Sequence, residues 1–157
     1  MTGVQTCALP ILQGKMTAKS NGSENLKRMM AMKKGGVLLS SHMGNYGIAS
    51  QLLMNYDGVI NVLVFDIEHQ QIRKTMDEAT GGRTFNMIVI KDDMSHVYEI
   101  GEALARNEFV CMTSDRYMPG NRTITAKFFG EDALFPLGTF QIVKSFKAPY
   151  KIGRAHV

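Results

Sequence analysis

The chain has 157 residues, room for one domain with a single core, and its 45% hydrophobic and 20% charged residues are ordinary for a globular protein. No apolar run approaches the ~20 residues that span a bilayer. The net charge of +4 comes without a block of like charges, so nothing points to nucleic acid, while a mildly basic surface suits anionic lipid or an acidic carrier protein.

In chain order, the first segment is anomalous and is matched by the last. Residues 2–11 read TGVQTCALPI and residues 152–157 read IGRAHV. The DNA ATC GGA AGA GCA CAC GTC, a sequencing adapter, translates to the second, and its extended reverse complement translates to the first. Residues 1–11 and 152–157 are therefore expected to be adapter-derived artefacts. Residues 12–151 are then a partial domain, truncated at both ends, of a longer protein. Without Arg154 the net charge falls from +4 to +3. Cys111 is then the remaining cysteine, and its apolar neighbours Phe109, Val110 and Met112 mark it as a buried thiol that behaves as a small hydrophobe.

Residues 12–23 are polar and read as a loop. Asn21 and Glu24 have capping-box spacing ahead of a short basic helix over 26–34, which Gly35 and Gly36 end. Residues 37–41 form an apolar strand, 42–46 a turn, and 48–56 a helix with apolar residues at helical spacing. The pattern repeats with a strand at 59–65, a helix at 68–79 stopped by Gly81 and Gly82, and a strand at 85–90. Asp92 and Asp93 read as caps for the helix that follows, and Ser95 can cap it too. That helix runs to Arg106 with Val97, Ile100 and Leu104 inward. A strand at 109–113, a polar loop at 114–122, a partly alternating strand at 123–129 and a helix at 137–146 complete the chain. Strands alternating with helices predict an α/β fold, a largely parallel sheet flanked by helices. Continuous apolar strands fit a sheet covered on both faces, whose ligands bind beyond the carboxyl ends of the strands.

Two clusters fall at such ends. His42 follows the first strand. An imidazole at such a place can take a proton from a hydroxyl attacking an acyl carbon. Gly44 lets backbone approach a substrate closely, and the next helix begins there. A histidine that merely braces the turn fits the same position. The second cluster is Thr113-Ser114-Asp115-Arg116, after the fourth strand. Asp115 could orient His42, and Arg116 could hold a phosphate, or the two could pair with each other. A third block, Phe128 to Thr139, places Pro136 and Gly138 at a turn into a helix whose free amides suit an anion or oxyanion. Phe128, Phe129 and Phe135 fit an acyl pocket, core packing or a membrane-facing lip. His69 and His96 lack ligand-spaced partners, so no metal site is expected. Neither a G-x-x-x-x-G-K-S/T loop nor a G-x-G-x-x-G fingerprint is present, which weighs against a doubly wound nucleotide-binding protein.

Taken in order, these blocks resemble the lysophospholipid acyltransferase superfamily, nearest the bacterial lipid A biosynthesis (lauroyl/myristoyl) acyltransferases. The resemblance covers about residues 35–150. The family's H-x-G-N-W/Y-E, or the looser H-x-x-x-x-D/E, stands here as His42-Met43-Gly44-Asn45-Tyr46-Gly47. Its Asp-containing loop is matched by Ser114-Asp115-Arg116, and its F-F-G-x-x-A-x-F-P-x-G block by Phe128 to Gly138. The acidic residue fifth after the histidine is replaced by Gly47. The glycerolipid acyltransferase-like resemblance implies transfer of a fatty acyl chain from acyl carrier protein, or acyl-CoA, to a hydroxyl of a lipid A precursor or other membrane lipid acceptor. His42 and Asp115 would be catalytic. Gly44, Asn45, Arg116, Gly138 and Thr139 would bind substrate. No cofactor or metal is implied. The implied partners are acyl carrier protein, a lipid acceptor and a membrane surface. The implied location is the cytoplasmic face of the bacterial inner membrane, with attachment through a segment outside this chain. Gly47 leaves open a degenerate relative that binds lipid or carrier without catalysis.

Overall fold

The computed structural model describes residues 22–43, 58–65 and 86–153. The elements in order are α1 (Ser23–Ala31), β1 (Gly36–Ser40), β2 (Ile60–Phe65), β3 (Asn86–Ile90), α2 (Ser95–Ala105), β4 (Phe109–Thr113), β5 (Thr123–Phe128), β6 (Glu131–Pro136), α3 (Leu137–Phe146) and β7 (Tyr150–Ile152). The helices expected at 48–56 and 68–79 lie outside the described residues. Five strands form one sheet in the order β3-β2-β4-β1-β7, and every neighbouring pair is parallel. The expected α/β class, with its largely parallel sheet, is the observed one. Among the described residues no helix is long and apolar enough to cross a membrane.

Both faces of the sheet are covered because consecutive side chains of a strand point to opposite sides. Val37, Leu39, Ile88, Val110 and Met112 pack with Ile100, Ala103 and Leu104 of α2 and with Ile142 and Val143 of α3. The alternate residues Leu38, Ile60, Val62, Phe109 and Cys111 pack with Leu26, Met29 and Met30 of α1. Ile100, Met112, Val37 and Val110 are the largest fully enclosed side chains. Leaving water stabilises the fold by about 1.5–3 kcal/mol for a side chain of this size. Cys111, expected to be buried, is half-buried against the α1 side of the sheet, and desolvation pushes its thiol up to about 12, so it stays protonated at neutral pH and serves as packing.

At the amino-terminal edge of the sheet, a polar network ties β2 to β4. Asn61, almost wholly buried, donates from Nδ2 to Glu108 Oε2 at 2.9 Å and to the Phe109 carbonyl at 3.2 Å. Arg106 donates to both Glu108 oxygens, at 2.7 and 3.1 Å, and holds that carboxyl below the usual carboxylate range. A buried amide is tolerated here because its donors find partners.

The ends of elements depart from expectation in several places. Gly22, left-handed at φ 77°, takes the N-cap of α1, and no side chain caps it. Glu24 then falls at the second helical position instead of the third, and Asn21, its expected capping-box partner, lies outside the described residues. Met94, at φ 61°, is the N-cap of α2, and Ser95 is helical. Asp93 accepts from the Ser95 amide at 2.9 Å, so the aspartate supplies the acceptor that was expected of Ser95. His96 is buried in the first turn of α2, where Nδ1 faces the Lys91 amide at 3.3 Å. The block read as a turn before α3 contains a strand, β6, which pairs antiparallel with β5 in a separate two-stranded sheet. The last strand, β7, was not expected and pairs with β1, with Ile152 opposite Leu39.

Gly35 both stops α1 and admits β1. Its φ is +63°, and an added Cβ would lie 2.8 Å from the carbonyl oxygens of Glu108 and Leu104. Neither oxygen can yield without disturbing backbone. Gly35→Ala is expected to destabilise the protein by on the order of 3 kcal/mol, from left-handed strain and overpacking together. A lowered urea midpoint at unchanged slope would report it.

Candidate functional site

The parallel register of β1 and β4 explains how two residues 73 positions apart meet. Ser40 lies opposite Thr113. The ladder runs one step further, with the Ser114 amide donating to the Ser40 carbonyl at 2.9 Å. Two residues beyond each strand end, His42 and Asp115 are therefore side by side at the carboxyl edge of the sheet. The His42 backbone amide donates to Asp115 Oδ2 at 2.7 Å. The His42 ring nitrogen Nδ1 lies 2.9 Å from Asp115 Oδ1. An ionised carboxylate only accepts, so Nδ1 carries a proton in this contact, and in the neutral ring the lone pair is then left on Nε2. The two side chains are 33% and 28% exposed, open enough for a substrate to reach the ring.

Partial burial pushes the Asp115 carboxyl up, but the His42 amide, the His42 ring and, when that ring is protonated, its charge, with the Asp115 amide, outweigh it and hold the group below its ordinary value. A carboxyl lowered in the folded state stabilises the protein above its unfolded pKa, and that contribution is lost as pH falls through the folded value. Stability is therefore expected to drop on acidification below ~4, the ordinary carboxylate value. Asp115→Asn should be less stable at neutral pH and should show a smaller drop over that window. Urea midpoints of both proteins across roughly pH 2 to 6 would show it.

The other expected residues are placed unevenly. Gly44, Asn45 and Gly47 lie outside the described residues. Arg116 is exposed beside Asp115 and makes no ion pair among the described residues, so the alternative pairing of Asp115 with Arg116 does not form. Gly138 and Thr139 are the second and third residues of α3, after Pro136 at its N-cap. The Leu137 amide is already used by the Arg122 carbonyl at 2.9 Å. The chain leaves α3 for β7 beside the start of β1, so α3 runs back toward the amino-terminal ends of the strands and its first turn is the end nearer the carboxyl edge. Thr139 is 9% exposed, and its hydroxyl has no hydrogen-bond partner among the described residues, as is also true of Ser114. No hydrogen bond among the described residues joins Gly138 or Thr139 to His42 or Asp115. Phe128 and Phe129 are exposed, which removes the core reading for both. The Ser95, Ser114 and Thr139 hydroxyls are buried without a hydrogen-bond partner among the described residues, and no spacing in the sequence signals that.

The sequence model for bacterial lipid A biosynthesis acyltransferases matches residues 4–151. The chain belongs to that family. No curated protein matches it. The family match takes in residues 4–11, within the first adapter-like segment, and ends at Lys151, one residue before the second.

The chemistry of the lipid A biosynthesis acyltransferase family is acyl transfer, and this fixes the reaction class to which the site must be compared. Acyl transfer to a hydroxyl needs a group that accepts a proton near neutral pH. His42 is the histidine of the H-x-x-x-x-D/E resemblance, and its Nδ1 side is occupied by Asp115 in a chain where position 47 is glycine.

Proposed function

We propose that the chain is the partial catalytic domain of an acyltransferase that moves a fatty acyl group from acyl carrier protein, or acyl-CoA, to a hydroxyl of a lipid A precursor or a related membrane lipid. The observation that carries this reading is the His42–Asp115 pair at the carboxyl edge of a parallel sheet in a chain of this family. His42 Nε2 takes the proton of the acceptor hydroxyl as its oxygen attacks the thioester carbon. Asp115 holds the ring by Nδ1 and stabilises the imidazolium that forms, acting as a positioning residue. The tetrahedral intermediate collapses by breaking the carbon–sulfur bond, and the imidazolium returns its proton to the leaving thiolate. Amides near Gly44 or Gly138 stabilise the oxyanion, at ~3 kcal/mol per donor in comparable sites. Asn45 and Thr139 complete the substrate contacts, and Arg116 binds a donor or acceptor phosphate through its planar fork. The scheme uses no metal or cofactor. The full-length protein works at the cytoplasmic face of the bacterial inner membrane, where lipid acceptors lie.

Gly47 favours a second reading, in which the protein binds lipid or carrier without turnover. Incubation of the full-length protein with labelled acyl carrier protein and lipid acceptor distinguishes the two. Labelled lipid product supports transfer, whereas carrier binding with no product supports the binding role.

A further inference from the structure

The β5–β6 hairpin carries an apolar tip that the core does not use. Phe129 is 93% exposed and Phe128 53%, and Ile124 and Leu134 lower on the hairpin are also exposed. The rings cluster edge to face, with Phe128 and Phe129 centroids 4.6 Å apart and Phe128 and Phe135 6.3 Å apart. Phe128 pairs with Glu131, so the turn has two residues, Phe129 and Gly130, at φ 53° and 89°. That mirror-image turn is the one for which Asn-Gly or Asp-Gly is suited. Phenylalanine there is disfavoured twice, by a bulky side chain in the left-handed region and by a ring left in water. Local stability does not account for it, and strain of this kind gathers at functional sites.

The surroundings of the tip indicate what it meets. A Cβ built on Gly130 would meet nothing within 4 Å among the described residues, so the tip stands clear of them. Arg122 at the base of the hairpin and Arg116 in the preceding loop are exposed and make no ion pair among the described residues, whereas Lys127 is paired with Asp132. From Asp115 to Ile152 the chain carries six cationic and three anionic side chains. A two-residue tip is too small for a second copy of the chain, since stable interfaces bury ~800 Å² on each partner. An acidic protein would be met by the arginines alone and gives no reason for the projecting rings. Aromatic side chains flanked by cations suit the boundary between headgroups and acyl chains of an anionic bilayer.

We propose that the hairpin tip inserts Phe128 and Phe129 into the interfacial zone of an anionic lipid surface, with Arg116 and Arg122 on its headgroup phosphates. Docking there sets the carboxyl edge of the sheet, eight residues before β5 at Asp115, close to the membrane. The proposal does not depend on His42 acting as a base.

The chain has no tryptophan, so Phe129→Trp introduces a single reporter at the tip. The full chain carrying it is mixed with vesicles of phosphatidylglycerol and phosphatidylethanolamine in equal parts. The emission should shift to the blue and be quenched by brominated acyl chains. Phe128→Ser with Phe129→Ser should weaken vesicle co-sedimentation by at least about tenfold. Arg116→Gln with Arg122→Gln should weaken it by about 25-fold on these vesicles and leave binding to phosphatidylcholine vesicles unchanged, at about fivefold per cation near an anionic surface. Circular dichroism should match the parent, because neither pair of substitutions touches the core. An unshifted tryptophan overturns the proposal. So does unchanged binding by the serine variant. A shift driven only by acyl carrier protein, or by raising the protein concentration without lipid, assigns the tip to a protein partner and overturns it as well.

Discussion

Replacing His42 with alanine in the full-length protein should abolish measurable acyl transfer while leaving the fold in place. General-base assistance contributes roughly 10²–10⁴-fold, and a site with no other proton acceptor on the hydroxyl loses all of it. The fold should survive for a local reason. The shorter of the two bonds to Asp115, at 2.7 Å, comes from the His42 backbone amide and remains in the variant. Only the ring bond at 2.9 Å is lost, on a side chain one third exposed, at a cost of about 1 kcal/mol. Single-turnover transfer from labelled acyl carrier protein, beside thermal unfolding of the same samples, separates the two effects. Retained transfer at the parent rate would remove the histidine mechanism. Lost transfer with a collapsed melting transition would instead mark His42 as a brace of the turn.

What could be read before any coordinates followed from how strongly each segment states its period. The strands at 37–41, 59–65, 85–90 and 109–113 are continuous apolar runs because both faces of a parallel sheet are buried, and each was found within a residue or so of its expected limits. Helix α2 was legible because Ile100 and Leu104 recur at helical spacing and enter the core. Strand β6 was not, since Glu131, Asp132 and Pro136 are poor strand formers, and its partner in an exposed hairpin supplies most of its order. Three-residue β7 is too short to show a period, and pairing with β1 alone defines it. The caps of α1 and α2 were misplaced by a residue or two, the scale on which side-chain acceptors and left-handed backbone compete. At the site, the ends of two apolar strands pointed to His42 and Asp115, but their contact depends on sheet order and register. Neither is written in a local pattern. Arg116 could be paired with Asp115 on paper, and the sheet decided otherwise by bringing His42 to that carboxylate first.

Asp115→Asn should lower kcat by roughly 10²–10⁴-fold with little change in KM. The size follows from the two bonds that the carboxylate makes at once. One oxygen accepts from the His42 backbone amide and the other faces ring Nδ1. Asparagine has a single oxygen, and the backbone amide, which can only donate, claims it. The side-chain NH2 then faces Nδ1, which must accept, and the proton moves to Nε2, the nitrogen that has to receive the substrate's proton. A merely structural aspartate would change the urea midpoint and spare kcat, so kinetics and stability measured together tell the roles apart. Gly47→Glu refines the test. If Asp115 already holds Nδ1, a carboxylate at position 47 should add nothing in the parent and should recover part of the rate in the Asp115→Asn background, where the ring again lacks an anionic acceptor. A gain in the parent, with an active Asp115→Asn protein, would instead mean that the family's usual acid is missing and that the observed pair only closes the sheet edge.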